Sequence, residues 1–140
     1  ICIFESLYGC VKQDVLYPAS DKQLVSDLIG VWKLSSVSEK HIKNYVGQIP
    51  LDIELIIRSS NVAQAINVPY VRLSSSKKII FWNGDCSWNL TGKRNAWTID
   101  LQMNNASTEW YVSKKNGEYI LVQPIYTMDE LEVIVLTKEK

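Results

Sequence analysis

The chain has few of the residues that catalysis and metal binding need. Its 140 residues include one histidine and three cysteines. A metal site takes three or four ligands, and a catalytic triad needs a nucleophile, a base and an orienting acid. The motifs Cys-x-x-Cys, His-Glu-x-x-His and Gly-x-Ser-x-Gly are all missing. The sequence therefore predicts a protein that is not an enzyme and that uses no metal or cofactor.

An excess of charge of either sign is also missing. Fifteen basic residues balance fifteen acidic ones, so the formal net charge is zero. A nucleic-acid-binding domain normally shows a basic excess or a basic stripe, so we expect no nucleic-acid partner. No apolar run approaches the roughly 18 residues that a membrane-spanning helix needs.

The remaining candidates for acid or base chemistry are isolated. His41 lies in a polar stretch and is predicted to be a solvated loop residue. Asp52 and Glu54 stand two residues apart, on the face of their strand that is opposite Ile53. That face is predicted to be the solvent side, as is the face that carries Asp100. A buried pair of carboxylates, as in a glycosidase, is the alternative.

The N-terminal residues suggest a processed targeting segment. Leu7-Tyr8-Gly9-Cys10 resembles the bacterial lipobox, in which a small residue precedes a cysteine that becomes lipidated. This interpretation makes residues 1–9 the remnant of a signal peptide, residues 10–19 a tether and Cys10 the lipidation site. It places the protein in a bacterial cell envelope, facing the periplasm, or makes it secreted. The alternative is an ordinary first strand with a buried cysteine.

The cysteine count is consistent with lipidation. Cys2 would be discarded and Cys10 would be lipidated, which leaves Cys86 without a partner. If Cys10 is not lipidated, a disulfide between Cys10 and Cys86 becomes possible. Both alternatives stay open from the sequence.

One short helix is predicted before the first long strand. Ser20 resembles an N-cap, and Gln23 stands at the spacing of a capping box. Gly30 is a natural C-terminal stop, so the helix is expected over residues 21–29. Its apolar stripe consists of Leu24, Val25 and Leu28.

After Gly30 the hydrophobic period changes from the helical value to two, which is typical of strands. About eight strands follow, the clearest over residues 94–103, and the 38–50 and 124–130 segments are predicted loops. Asn83-Gly84 and Asn116-Gly117 lie between apolar-rich runs, so both are predicted hairpin turns. Residues 20–140 are therefore expected to form one all-β domain, an up-and-down antiparallel meander that closes or nearly closes into a barrel.

Gly30-Val31-Trp32, directly after the predicted helix, resembles the first-strand signature of lipocalins and of lipocalin-like bacterial domains. The resemblance implies that Trp32 plugs the closed end of the barrel and that a basic residue near the last strand, here Lys138, stacks on it. It also implies a lipocalin-like barrel that has the capacity to carry a small apolar ligand.

Three of the five tryptophans and one leucine are candidates for lining such a cavity. These residues are Trp88, Trp97, Leu101 and Trp110. Binding pockets are mostly apolar and aromatic, but the interior of an eight-stranded barrel is only wide enough for side chains or one small ligand. The same residues are therefore either the lining of a cavity or the filler of a packed barrel.

Two functions remain. The first is a non-catalytic, lipid-anchored envelope protein, expected to be monomeric, that acts on a protein partner in the manner of an inhibitor or an immunity protein. The alternative is a carrier of a small apolar ligand. Binding residues tend to lie in loops, so the 38–50 and 124–130 segments are the predicted contact regions.

Overall fold

In the computed structural model, residues 2–6, 9–12, 21–72, 78–93, 96–126 and 131–140 are described. The strands are β1 (Cys2–Ser6), β2 (Gly9–Lys12), β3 (Gly30–Leu34), β4 (Glu54–Ile57), β5 (Val62–Arg72), β6 (Lys78–Lys93), β7 (Ala96–Gln102), β8 (Ser107–Lys115), β9 (Glu118–Tyr126) and β10 (Leu131–Lys138). The helices of the described part are α1 (Asp21–Leu28) and α2 (Ser36–Val46). Neither of these helices is long and apolar enough to cross a membrane.

Strands β3 to β10 form a closed antiparallel barrel in chain order, with β10 paired to β3. This confirms the predicted all-β meander of about eight strands. The alternation of side chains explains the arrangement. On β4 and the residue before it, Ile53, Leu55 and Ile57 point inward and are buried, whereas Glu54 and Ile56 are more accessible. Closure pairs every wall strand on both sides and so removes the free edges that would otherwise aggregate.

Helix α1 covers one end of the barrel, and its bounds agree within one residue with the helix predicted over residues 21–29. Leu24 and Leu28 are fully buried and join the main hydrophobic core. The chain enters β3 directly after this helix. We call this the α1 end of the barrel and call the opposite end the mouth.

The prediction of a single helix was incomplete, because a second helix, α2, lies within the segment predicted to be a loop. Ser35 is its N-cap and accepts a hydrogen bond from the backbone of Ser38, while Gly47 ends it with a positive φ of 77°. The prediction of a solvated His41 was wrong, since this side chain is 5% exposed on the buried face of α2, beside the fully buried Ile42. The serine cap and the terminal glycine were the sequence signals that identify this helix.

Asn83-Gly84 is not a hairpin turn, and that prediction was wrong. Both residues lie inside β6, a single strand of 16 residues. The strand bends there because β5 carries one extra residue in a bulge between Ala65 and Val68. The prediction for Asn116-Gly117 was correct: this turn joins β8 to β9 with positive φ values of 53° and 80°.

The N-terminal strands lie outside the barrel. β1 and β2 form an antiparallel pair in which Cys10 is the Cα partner of Glu5. β1 approaches β10, and β2 approaches β8. Residues 13–20, which include most of the predicted tether and the proposed cap Ser20, lie outside the described residues, as does part of the predicted 124–130 loop.

The outer surface of β9 and β10 is unexpectedly apolar. Ile120, Val122, Val133 and Val135 form a second core cluster, in which each side chain is at most 5% exposed. We call these four residues the outer patch. Their neighbours in sequence, such as Leu121 and Ile134, belong to the main core inside the barrel. The N-terminal strand pair lies on the side of the barrel that carries the outer patch.

Candidate functional site

The described residues contain no cluster of three or more histidine, cysteine or acidic side chains that could hold a metal ion. Asp52 is exposed, and Glu54 forms an ion pair with Lys33 on the outer surface, as expected for a solvent-facing pair. Asp100 accepts hydrogen bonds from the hydroxyls of Thr91 at 2.8 Å and Thr98 at 3.3 Å. These carboxylates lie on different parts of the barrel wall and form no acid–base pair with one another.

The candidate ligand-lining residues are packed into the core. Trp88, Leu101 and Trp110 are at most 2% exposed, and Trp97 is partly buried against the same cluster. Side chains with so little accessible surface border no water-sized space. In this closed conformation Trp88, Leu101 and Trp110 are therefore packed core residues, whereas Trp97 keeps some accessible surface.

The buried tryptophans differ in one respect. The indole N–H of Trp32 donates to the carbonyl oxygen of Leu28 at 2.9 Å, and that of Trp88 donates to the carbonyl of Arg58 at 2.9 Å. Trp110 Nε1 is fully buried and has no hydrogen-bond partner among the described residues. A buried donor without an acceptor costs about 1–3 kcal/mol, so such groups need an explanation.

Trp32 and Lys138 come together at the α1 end, where they are Cα partners across β3 and β10. Lys138 Nζ donates to the carbonyl of Asp27 at 2.8 Å, in the last turn of α1. A cation at this position also interacts favourably with the helix dipole. The Lys138 stem passes so close to Gly30 that a Cβ there would lie 2.6 Å from Cε. These contacts tie the last strand, the first barrel strand and α1 together.

A shallow depression of about 540 Å³ opens beside Lys138 and Tyr119. Its charged rim is largely self-satisfied, because Lys140 pairs with Glu118 at 2.8 Å and Glu139 pairs with Lys33 at 3.4 Å. The hydrogen bonds and charges of their carboxylate partners raise the pKa of Lys33 and of Lys140. Few charges are left there to recognise another molecule.

The mouth contains a polar bridge that the sequence did not reveal. Gln123 points inward from β9 and is only 5% exposed. Its Oε1 accepts a hydrogen bond from the backbone N–H of Val71 at 2.9 Å, while Nε2 lies 3.5 Å from the carbonyl of Pro69. Nε2 also donates to Thr108 Oγ1 at 3.1 Å. A single glutamine in an apolar strand gives no pattern from which this role could be predicted.

A second candidate site lies where the chain passes from α2 into β4. This groove of about 120 Å³ is lined by Lys33, Leu34, Glu39, Pro50, Leu51, Asp52, Ile53 and Glu54. We call it the Leu51 groove, because Leu51 is fully exposed there. It borders the predicted 38–50 segment, although Leu51 and Asp52 themselves were not predicted contact residues.

The charge of the Leu51 groove is net acidic. Lys33 is engaged by Glu54 and Glu139, each at 3.4 Å. Glu39 and Asp52 form no ion pair with any other described residue, so their charges face outward. Because charges across an interface are complementary, a partner that fits this surface would place basic groups opposite Glu39 and Asp52.

The cysteines show no reactive pair among the described side chains. Cys86 is free and half-buried inside the barrel wall. Burial, with a smaller contribution from the negative charge of Asp85, raises the pKa of its thiol to about 11. Cys10 is a residue of strand β2. The lipidation of Cys10 stays a prediction.

Comparison with known proteins finds no relative, since no family model, no curated protein and no solved structure matches the chain. The lipocalin-like resemblance around Gly30 and Trp32 therefore stays a prediction. The barrel and its named contacts are the basis for a functional proposal.

Proposed function

We propose that the protein is a non-catalytic interaction protein that binds a protein partner through the Leu51 groove. The observation that carries this proposal is Leu51 itself, which is fully exposed between Pro50 and Asp52. Solvent-exposed large aliphatic side chains are common singly, but this one sits at the rim of a groove whose Glu39 and Asp52 form no ion pair with another described residue. The packed barrel then acts as a rigid scaffold.

The partner that fits this surface has a small apolar pocket with basic residues around it. Leu51 would fill the pocket, and Glu39 and Asp52 would face the basic rim. Complementary charge mainly increases the association rate and the specificity, while the buried apolar contact supplies most of the affinity. The association is therefore expected to weaken with salt.

A lipid anchor at Cys10 belongs to the same proposal and would hold the barrel at the envelope of a bacterium. The lipobox-like residues Leu7 to Cys10 support it. Mass analysis of the N-terminal peptide from a bacterial host that carries the full gene tests it. Acyl groups on Cys10 support the anchor, and an unmodified Cys10 in that host contradicts it.

The test of the groove compares capture by the wild-type protein with capture by Leu51→Ser, Asp52→Asn and Val62→Ser. Val62 is a matched control, because it is the other exposed large apolar side chain, at 48%, among the described residues. A true partner is lost with Leu51→Ser, weakened with Asp52→Asn and retained with Val62→Ser. Equal capture by all four proteins contradicts the proposal.

A second candidate function, a carrier of a small apolar ligand, is favoured by one specific observation. The buried N–H of Trp110 has no partner in the closed barrel. An acceptor atom from a ligand would satisfy it. Native mass spectrometry of the protein purified from its own host tests this candidate, and the expected result is a mass above that of the polypeptide by the mass of one small molecule.

A further inference from the structure

The long hairpin of β5 and β6 continues past the barrel wall. β4 pairs with β5 only as far as Ile66, whereas β5 and β6 stay paired from Val68–Trp82 to Arg72–Lys78. We call the arms Val68–Val71 and Ile79–Trp82 the cover hairpin. Val71, Ile79 and Phe81 pack against the main core. The arms therefore fold over the interior and do not project into solvent.

Gln123 holds the cover hairpin from the far side of the barrel. In the closed ring of eight strands, β5 and β9 are four strands apart in either direction and so lie opposite each other. The hydrogen bond from Val71 N to Gln123 Oε1 therefore spans the mouth. Beyond Ile66, β5 has no pairing with β4. There the Gln123 amide contacts one peptide N–H and one peptide carbonyl of β5, as a neighbouring strand would.

The base of the cover hairpin has the features of a hinge. The bulge places Asn67 at a φ of 48°, and Gly84 on the opposite strand has a φ of 134°. Asn67 and Asn83 are joined by two hydrogen bonds, which are exposed to water. Exposed hydrogen bonds at an irregular point in a ladder open more easily than the buried ladder on either side.

Unsatisfied polarity lies beneath the cover hairpin. Trp110 adjoins Tyr111, and Gln123 adjoins Val122, the Cα partner of Tyr111, so the two inward side chains are cross-strand neighbours. Lifting the arms would free the Gln123 amide beside the unpartnered Trp110 N–H. It would also vacate the space of the apolar side chains that the arms pack into the core, which are Val68, Val71, Ile79, Phe81 and Trp82.

The chemistry of this space selects a ligand. The described residues include no buried lysine or arginine, so a carboxylate head group would be uncompensated. The glutamine already holds a peptide N–H and a peptide carbonyl, which is the pattern of an amide. The tryptophan supplies one more donor for a carbonyl oxygen.

We infer that the cover hairpin occupies an interior site that can instead bind a neutral amide carried on a long apolar chain. The site opens when the hairpin loses its hydrogen bonds to Gln123. This inference rests on the second candidate function. The hairpin competes with the ligand, so the apparent affinity falls with the fraction of time that the hairpin is closed.

The test is calorimetric titration of the full chain with tetradecanamide and with tetradecanoic acid, for the wild type and three variants. Asn83→Ala loosens the hinge without touching the site, and we expect about fivefold tighter amide binding. Trp110→Phe removes the unpartnered donor, and we expect about fivefold weaker binding. Trp32→Phe is the control, since its N–H is engaged by the carbonyl of Leu28 at the α1 end, away from the mouth. It should leave the affinity unchanged. Thermal unfolding checks that each variant is folded.

The possible failures are distinguishable. Equal binding of acid and amide overturns the amide site and leaves the carrier function standing. Equal effects of Trp110→Phe and Trp32→Phe, or no gain with Asn83→Ala, overturn the proposed opening of the cover hairpin. Absence of binding of either compound to wild type and Asn83→Ala, together with a bare mass from the host, overturns the carrier function as well.

Discussion

Asn67 and Asn83 face each other across the bend of the longest hairpin and bond reciprocally. The backbone N–H of Asn67 donates to Asn83 Oδ1 at 2.8 Å, and Asn83 Nδ2 donates to Asn67 Oδ1 at 2.9 Å. Asn67 Nδ2 also donates to the carbonyl of Asp52 at 2.9 Å. The pair therefore couples the bulge to the chain that leads into β4, beside the Leu51 groove.

Replacing Asn83 with alanine should lower the free energy of unfolding by about 1 kcal/mol, because it removes both bonds at a site where water can replace them. Urea denaturation measures the loss as a lower midpoint with an unchanged slope. Asn104→Ala is the matched control, since Asn104 is exposed and has no hydrogen bond to another described residue. Equal stability of the two variants would show that the pair does not hold the bend.

The same asparagine shows what the sequence could and could not predict. An Asn-Gly pair between apolar runs predicts a turn because both residues tolerate positive φ. At Asn116-Gly117 that inference was correct, but at Asn83-Gly84 the same property serves a bend opposite a bulge. Which use applies depends on the partner strand, whose extra residue is 16 positions away in sequence from Asn83. No local pattern contains that information.

The barrel itself was predictable because alternation is local and repeated in strand after strand. Helix α1 was predictable for the same reason, from its apolar stripe and the glycine that follows. The polar contacts at the mouth were not, since Gln123 and Val71 are separated by 52 positions along the chain. The Leu51 groove depends on how the segment after α2 folds back. It could not be predicted, because the residues of α2 were expected to form a loop.

Gly30 should be intolerant of any side chain. Its φ is 148°, and a Cβ would lie 2.6 Å from Lys138 Cε. Gly30→Ala should therefore cost about 2 kcal/mol, mainly from backbone strain, because Lys138 Cε is near the end of a flexible side chain that can move aside at the loss of its exposed bond to Asp27. Gly117→Ala separates the two causes, because Gly117 has a φ of 80° and nothing within 4 Å of the Cβ position. The loss of unfolding free energy in Gly117→Ala should be up to about 1 kcal/mol smaller than the loss in Gly30→Ala.

A double-mutant cycle isolates the steric contribution. Lys138→Ala removes the contacting stem together with the bond to Asp27. In that background, Gly30→Ala should cost up to about 1 kcal/mol less than in the wild type, which is the cost of displacing the lysine and its exposed hydrogen bond. If the cost of Gly30→Ala is the same in both backgrounds, the close approach of Lys138 does not determine the need for glycine.

In a chain that keeps residues 1–9, the N-terminal strand pair should act as a cover for the outer patch; processing before Cys10 would remove β1. A chain that starts at residue 13 lacks β1 and β2, so Ile120, Val122, Val133 and Val135 should become accessible. The expected result is a fall in unfolding free energy of at least about 2 kcal/mol and increased fluorescence of a hydrophobic dye. Val122→Thr with Val135→Thr in the shortened chain should abolish the dye signal. A shortened chain that is as stable as the full one and binds no dye would contradict the covering role.

The Cys86 thiol should react slowly in the folded protein. Burial first, and the charge of Asp85 second, raise its pKa from 9.0 to about 11. At about pH 8 the thiolate fraction should therefore be about a hundredfold lower than in the unfolded chain. Alkylation rates of a Cys2→Ser, Cys10→Ser protein measure this, and the folded rate should keep rising until about pH 11.

The same shift predicts how stability changes with pH. The folded pKa is above the unfolded one, so the folded state holds this proton more tightly and the contribution is complete below pH 9.0. It should be lost as the pH rises from 9.0 towards about 11.

Asp85→Asn should shift the alkylation profile only slightly to lower pH, because burial is the larger cause. A profile that falls to the unfolded position in Asp85→Asn would instead make the neighbouring charge the dominant cause.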